Sequence, residues 1–123
     1  MVVDDSRALR RILGDIMREL GFEVVDAGHG REALTMLETT GPLDLVLVDW
    51  NMPVMNGLEF VRAVRANAAY ESMPLIMVTT ETEIEQMQCA LESGANEYVM
   101  KPFTADVIQD KLRLLNVVCA SDA

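Results

Sequence analysis

Short apolar runs and stretches of helical spacing alternate five times along this chain, and few folds accept that alternation. The first run is Met1 to Val3, and Leu9, Ile12, Leu13, Ile16, Met17 and Leu20 then repeat at helical spacing. That spacing predicts a helix from about Arg7 to Leu20 with one buried stripe, capped by Ser6 and closed by Gly21. Phe22 to Ala27 reads as a strand, and Arg31 to Leu37 as a short helix with Ala33, Leu34 and Leu37 inward. Gly41-Pro42 breaks the chain before Leu43 to Val48, a nearly continuous apolar run of the kind found in strands covered on both faces.

The second half repeats the pattern. Leu58, Val61, Ala63, Val64 and Arg65 suit a third helix, Pro74 opens a strand over Leu75 to Val78, and Glu83 to Ser93 suits a fourth helix stopped by Gly94. In that helix Ile84, Met87, Ala90 and Leu91 face inward. Tyr98 to Met100 is the last strand. Thr104 caps a final helix lined on one side by Val107, Ile108, Lys111, Leu112 and Leu115, with Phe103 and Ile108 placed as a hydrophobic staple. Five strand-helix units imply an α/β fold, a parallel sheet with helices on both faces. Right-handed crossovers restrict the winding, and the flavodoxin-like (βα)5 order 2-1-3-4-5 is expected, a three-layer sandwich. The first strand is then central although only three residues precede Asp4, fewer than the usual five or six. Either a short strand or one or two residues missing ahead of Met1 would account for this.

In that order, four chain segments end side by side. Asp4-Asp5 follows the first run, Asp49 follows Leu45 to Val48, Thr79 follows Leu75 to Val78, and Lys101 follows Tyr98 to Met100. All would meet at the carboxyl edge of the sheet, where open α/β folds place their ligands. Two carboxylates about 4 Å apart repel by ~4 kcal/mol at an effective dielectric of 20, so the cluster needs a proton, a lysine or a metal. Mg²⁺, which takes oxygen ligands and keeps several waters, suits a sparse acidic pocket better than Ca²⁺ does. A carboxylate can itself act as nucleophile and carry a phosphoryl group, and Asp49 is the best placed. Lys101 would neutralise phosphoryl oxygens and Thr79 would donate a hydrogen bond, since this chemistry rests on positioning and charge.

Composition excludes several classes. The formal charge is -10, from 20 acidic and 10 basic residues, which opposes direct binding to nucleic acid or to an anionic membrane. No run approaches the ~20 apolar residues of a membrane span and no leader pattern opens the chain, so a cytoplasmic protein is expected. At 123 residues, half of them apolar, a single domain over 1–123 is expected, with no linker to a second. Cys89 and Cys119 lack metal-ligand spacing and read as reduced thiols. His29, in a Gly-flanked loop, reads as exposed, the nine methionines as core filler, and Trp50 as a residue at the pocket rim.

Taken together, Val2-Val3-Asp4-Asp5-Ser6, Val48-Asp49-Trp50-Asn51-Met52-Pro53, Gly57, Val78-Thr79 and Lys101-Pro102-Phe103 resemble the receiver domain of two-component response regulators. The likeness is greatest to single-domain, CheY-type chemotaxis regulators, and it covers essentially the whole chain. It implies that Asp49 accepts a phosphoryl group from a histidine kinase. It implies that Asp5, Asp49 and the Asn51 carbonyl bind Mg²⁺, with Asp4 helping through water. Thr79 and Tyr98 would match the family's switch pair, and Lys101 its phosphate-contacting lysine, with a cis bond at Lys101-Pro102. The switched surface would be the face of the fourth helix, last strand and last helix, offered to a downstream protein such as a flagellar motor switch. The acidic Glu81, Glu83 and Glu85 stand on that face, where motor-binding relatives are expected to be more basic. The chain would act as a monomer, turning over only its own acyl phosphate.

Three rival functions share these features. A haloacid-dehalogenase-like phosphohydrolase needs an Asp where Asn51 stands, and a cap domain. A flavin module of the same fold needs a Ser/Thr/Gly-rich phosphate loop after the first strand, where Asp4-Asp5 would repel a phosphate. A receiver cut from a longer regulator with a DNA-binding or enzymatic output domain keeps the chemistry and changes only the context.

Overall fold

A computed structural model describes residues 1–80, 84–101 and 103–117. Pro102 with the expected cis bond, Glu81, Glu83, the Glu85 side chain and the tail with Cys119 lie outside the described residues. The elements run β1 (Val2–Val3), α1 (Arg7–Glu19), β2 (Asp26–Ala27), α2 (Gly30–Thr40), β3 (Val46–Asp49), α3 (Gly57–Arg65), a 3-10 turn (Ala68–Tyr70), β4 (Leu75–Thr80), α4 (Ile84–Ser93), β5 (Glu97–Lys101) and α5 (Ala105–Leu114). All strands are parallel and ordered β2-β1-β3-β4-β5, as the crossover argument requires.

Alternation along the strands sends side chains to opposite faces of the sheet and divides the core in two. Val3, Val48, Leu75 and Met77 pack with Ala33 and Leu37 of α2, Phe60, Val61 and Val64 of α3, and Ala90 of α4. Val2, Leu47, Ile76, Val78 and Val99 pack on the other face with Leu13 and Met17 of α1 and Ile108 and Leu112 of α5. Phe103 packs in the same cluster as Ile108, as a staple at the start of α5 would have it. Among the described residues no helix is long and apolar enough to cross a membrane.

Several local expectations need correction. The strand predicted over Phe22 to Ala27 shrinks to Asp26–Ala27, because its partner β1 is itself only Val2–Val3. Ahead of those pairs the sheet opens into a cavity of about 500 Å³ between Phe22, Val24, Leu43 and Leu45. β3 likewise begins at Val46 rather than Leu43, where pairing with Leu75 begins. Ile12, Leu91 and Val107, predicted to face inward, are exposed: their helices bury narrower stripes than the spacing alone suggests. α2 is longer than expected, and His29 is its N-cap, with Nδ1 accepting the Glu32 N–H at 3.2 Å.

Candidate functional site

The ends of β1 and β3 carry the acidic residues because each apolar strand stops where the sheet meets solvent. Asp4 is 1% exposed, and its Oδ1 accepts the Ser6 N–H at 2.8 Å. Its Oδ2 is buried with no hydrogen-bond partner. The Arg10 guanidinium ties down the same turn, donating to the Asp4 carbonyl at 2.6 Å and to Asp26 Oδ2 at 3.0 Å. Asp5 is exposed, and Asp49, the last residue of β3, is 6% exposed. Each of the three offers a carboxylate oxygen, all within 4.8 Å of one another. At that spacing two charges repel by about 3–4 kcal/mol at an effective dielectric of 20.

Lys101 supplies the opposing charge. Its Nζ donates to Asp49 Oδ1 at 3.0 Å and stands 3.9 Å from the orphaned Asp4 Oδ2. One lysine does not balance three carboxylates. Burial raises the pKa of Asp4 despite the Ser6 hydrogen bond, and Asp49 and Asp5 push it further up against Lys101. Burial raises that of Asp49 as well, with the Lys101 bond and charge opposing and Asp5 adding to the rise. Asp4 and Asp49 are thus held ionised at an energetic cost, and Asp4 Oδ2 lacks a donor. That pattern suits a hard divalent cation with oxygen ligands. Beside Asp5, a shallow depression lined by Asn51, Met52, Pro53 and Asn56 opens to solvent.

The loop after Asp49 is held by contacts that spacing alone does not reveal. Asn56 and Glu59 form a reciprocal cap, Glu59 N–H to Asn56 Oδ1 at 2.9 Å and Asn56 N–H to Glu59 Oε1 at 3.1 Å. Gly57 N–H donates to the Trp50 carbonyl at 2.9 Å, and a Cβ at Gly57 would stand 2.5 Å from the Asp49 carbonyl. Only glycine allows α3 to begin this close to the phosphoacceptor candidate. Gly57→Ala should therefore cost about 1–3 kcal/mol and displace Asp49, read as a lower urea midpoint together with weaker Mg²⁺ affinity. Val54, between Pro53 and Met55, has φ 68, a left-handed conformation rarely taken by a β-branched residue.

Thr79 is buried just beyond Val78, the register partner of Asp49, so it lies at the same sheet edge. Tyr98 is half-buried on β5 opposite Met77; two-residue alternation places Thr79 and Tyr98 on one face of the sheet. Trp50 is not at the rim: it is 8% exposed and packs in the core under α2 and α3. Arg10 ties down this end of the molecule, and Glu97 and Lys111 meet beside Tyr98 on β5. Nothing in their spacing marks Arg10 or Glu97, and Lys111 reads only as one of the residues lining α5.

The model of the response regulator receiver domain matches residues 1–113. A chemotaxis protein CheY homolog from Campylobacter jejuni is 47% identical over 91% of this chain and 87% of its own length. Chemotaxis protein CheY1 of Helicobacter pylori is 41% identical over 94% of each. The structure of Vibrio cholerae chemotaxis protein CheY4 superposes with a TM-score of 0.85 at 38% identity, covering 93% of this chain and 94% of that one. With the parallel 2-1-3-4-5 sheet and the acidic edge already in place, these matches establish that the chain belongs to the response regulator receiver domain family.

Proposed function

We propose that this chain is a phosphorylation-operated switch in which Asp49 takes a phosphoryl group from a histidine kinase, in a chemotaxis pathway. The observation that carries this reading is the Lys101 ammonium, 3.0 Å from Asp49 and 3.9 Å from an unpartnered Asp4 oxygen, inside a bowl with a third carboxylate. An Asp49 oxygen bonds to phosphorus as the phosphorus–nitrogen bond of the donor's phosphohistidine breaks. Lys101 turns from the carboxylate to the new phosphoryl oxygens, and the Thr79 hydroxyl donates to another. Asp5, Asp49 and the Asn51 carbonyl would hold Mg²⁺, with Asp4 helping through water. When bound, Mg²⁺ supplies the positive charge that lets an anionic donor approach an acidic pocket.

The output follows from charge. A phosphoryl group adds about -1.5 to -2 charge and three acceptor oxygens. Thr79 moves toward it, Tyr98 turns into the space vacated, and the face of α4, β5 and α5 changes its affinity for a downstream protein, with a flagellar motor switch as the proposed target. Exposed apolar side chains on those elements, Leu91, Met100, Val107 and Leu114, support that face as the contact surface. The test is incubation with acetyl phosphate and Mg²⁺, followed by intact mass. The reading requires one labile phosphoryl group that does not form when the metal is chelated beforehand and is absent when Asp49 is replaced. Steady turnover of small phosphate esters would favour the phosphohydrolase instead.

A further inference from the structure

The residues around Tyr98 form a contact that strand spacing does not foresee. Glu97 and Tyr98 are adjacent on β5, the edge strand of the sheet. The Glu97 Oε1 accepts the backbone N–H of Tyr98 at 3.0 Å and lies 3.2 Å from the Lys111 ammonium of α5. The same ammonium stands 5.0 Å from the centroid of the Tyr98 ring. Lys111 and Glu97 are each about three-quarters buried, with side-chain exposures of 25% and 22%. One cation thus joins an acid, through that acid the strand's backbone, and the face of the aromatic ring.

We propose that Lys111 and Glu97 form a latch that holds Tyr98 in its unphosphorylated position and sets how readily phosphorylation at Asp49 moves it. This rests on the switch reading above and adds two residues to it. A contact made in only one of two conformations displaces the equilibrium by its own free energy, and any ligand of the other conformation feels the same factor. A partly exposed ion pair and a cation–π contact together amount to a factor of about three to ten. The alternative is that the charges only protect an open sheet edge from pairing with another chain. That role would not depend on the tyrosine.

The experiment titrates the protein with beryllofluoride, a phosphoryl mimic, in saturating Mg²⁺. Trp50 fluorescence and the fluorine NMR signal of 3-fluorotyrosine at Tyr98 report binding and ring position. Lys111→Met, which keeps most of the apolar stem, and Glu97→Gln should each tighten beryllofluoride binding by about three- to tenfold. Lys111→Arg should return the midpoint toward the parent value. In a Tyr98→Ala background Lys111→Met should have no further effect. An unchanged midpoint in Lys111→Met, or the same gain with and without Tyr98, would overturn the latch while leaving the switch intact. If the parent protein binds the mimic and the Tyr98 signal does not move, the switch reading fails and the latch with it.

Discussion

Asp49→Asn is expected to abolish labelling by acetyl phosphate and, in the absence of metal, to make the protein more stable. The two effects have one origin. Asp49 is the proposed phosphoacceptor at the end of β3, and it is also one of three carboxylates whose oxygens lie within 4.8 Å of each other. Its pKa is raised mainly by burial, so at neutral pH the folded state holds an ionised form that it disfavours relative to the unfolded chain. The amide is nearly the same shape and carries no charge. Lys101 retains Asp4 at 3.9 Å. The gain should be about 1–2 kcal/mol, a rise of several degrees in Tm for a chain of this size. Mg²⁺ should stabilise the parent protein, by about 2.7 kcal/mol at a hundred times its Kd, and the variant far less. Thermal melts with and without Mg²⁺, beside a labelling gel, measure both parts. A variant no more stable than its parent would mean that the acidic bowl is not under electrostatic strain.

Lys101→Met should act in the opposite direction and more strongly. The change removes the ammonium that faces both carboxylates and leaves the buried Asp4 and Asp49 with backbone hydrogen bonds as their remaining compensation. Breaking one side of a fully buried pair costs about 3–5 kcal/mol, and because Lys101 is 22% exposed a loss of about 2–3 kcal/mol at pH 7 is expected. The pH dependence identifies the cause. Both carboxylates already have folded pKa values above the unfolded 3.8. Through the window above that value the folded state binds more protons than the unfolded one, so stability falls as pH rises. Without Lys101 that fall should steepen, and lowering the pH should recover most of the loss. Urea midpoints between pH 4 and 8 would show a widening gap between parent and variant. A constant gap would assign the effect to lost packing of the lysine stem.

Element order and sheet topology were legible in the sequence because both depend on local periodicity. A helix stripe repeats within a few residues, and a parallel strand buried on both faces shows as an unbroken apolar run. Asp4, Asp5, Asp49, Thr79 and Lys101 were legible for the same reason: each sits where such a run stops. Strand length was not. Phe22 to Val25 has strand composition and lies outside β2, since a strand forms only opposite a partner and β1 is two residues long. Trp50 misled in a similar way: Asn51, which follows it, is exposed, while Trp50 belongs to the core cluster that includes residues of α2 and α3.

The sequence by itself determined which residues stand at the carboxyl edge of the sheet and what kind of chemistry they suit. Charge, apolar periodicity and strand ends are properties of a segment and its near neighbours. Only the tertiary structure decided that one Asp4 oxygen has no donor, that Gly57 must have no side chain, and that Lys111 reaches both Glu97 and Tyr98. Each of these is a distance between atoms of separate elements, set by how helices dock on a twisted sheet, and no spacing along the chain encodes it.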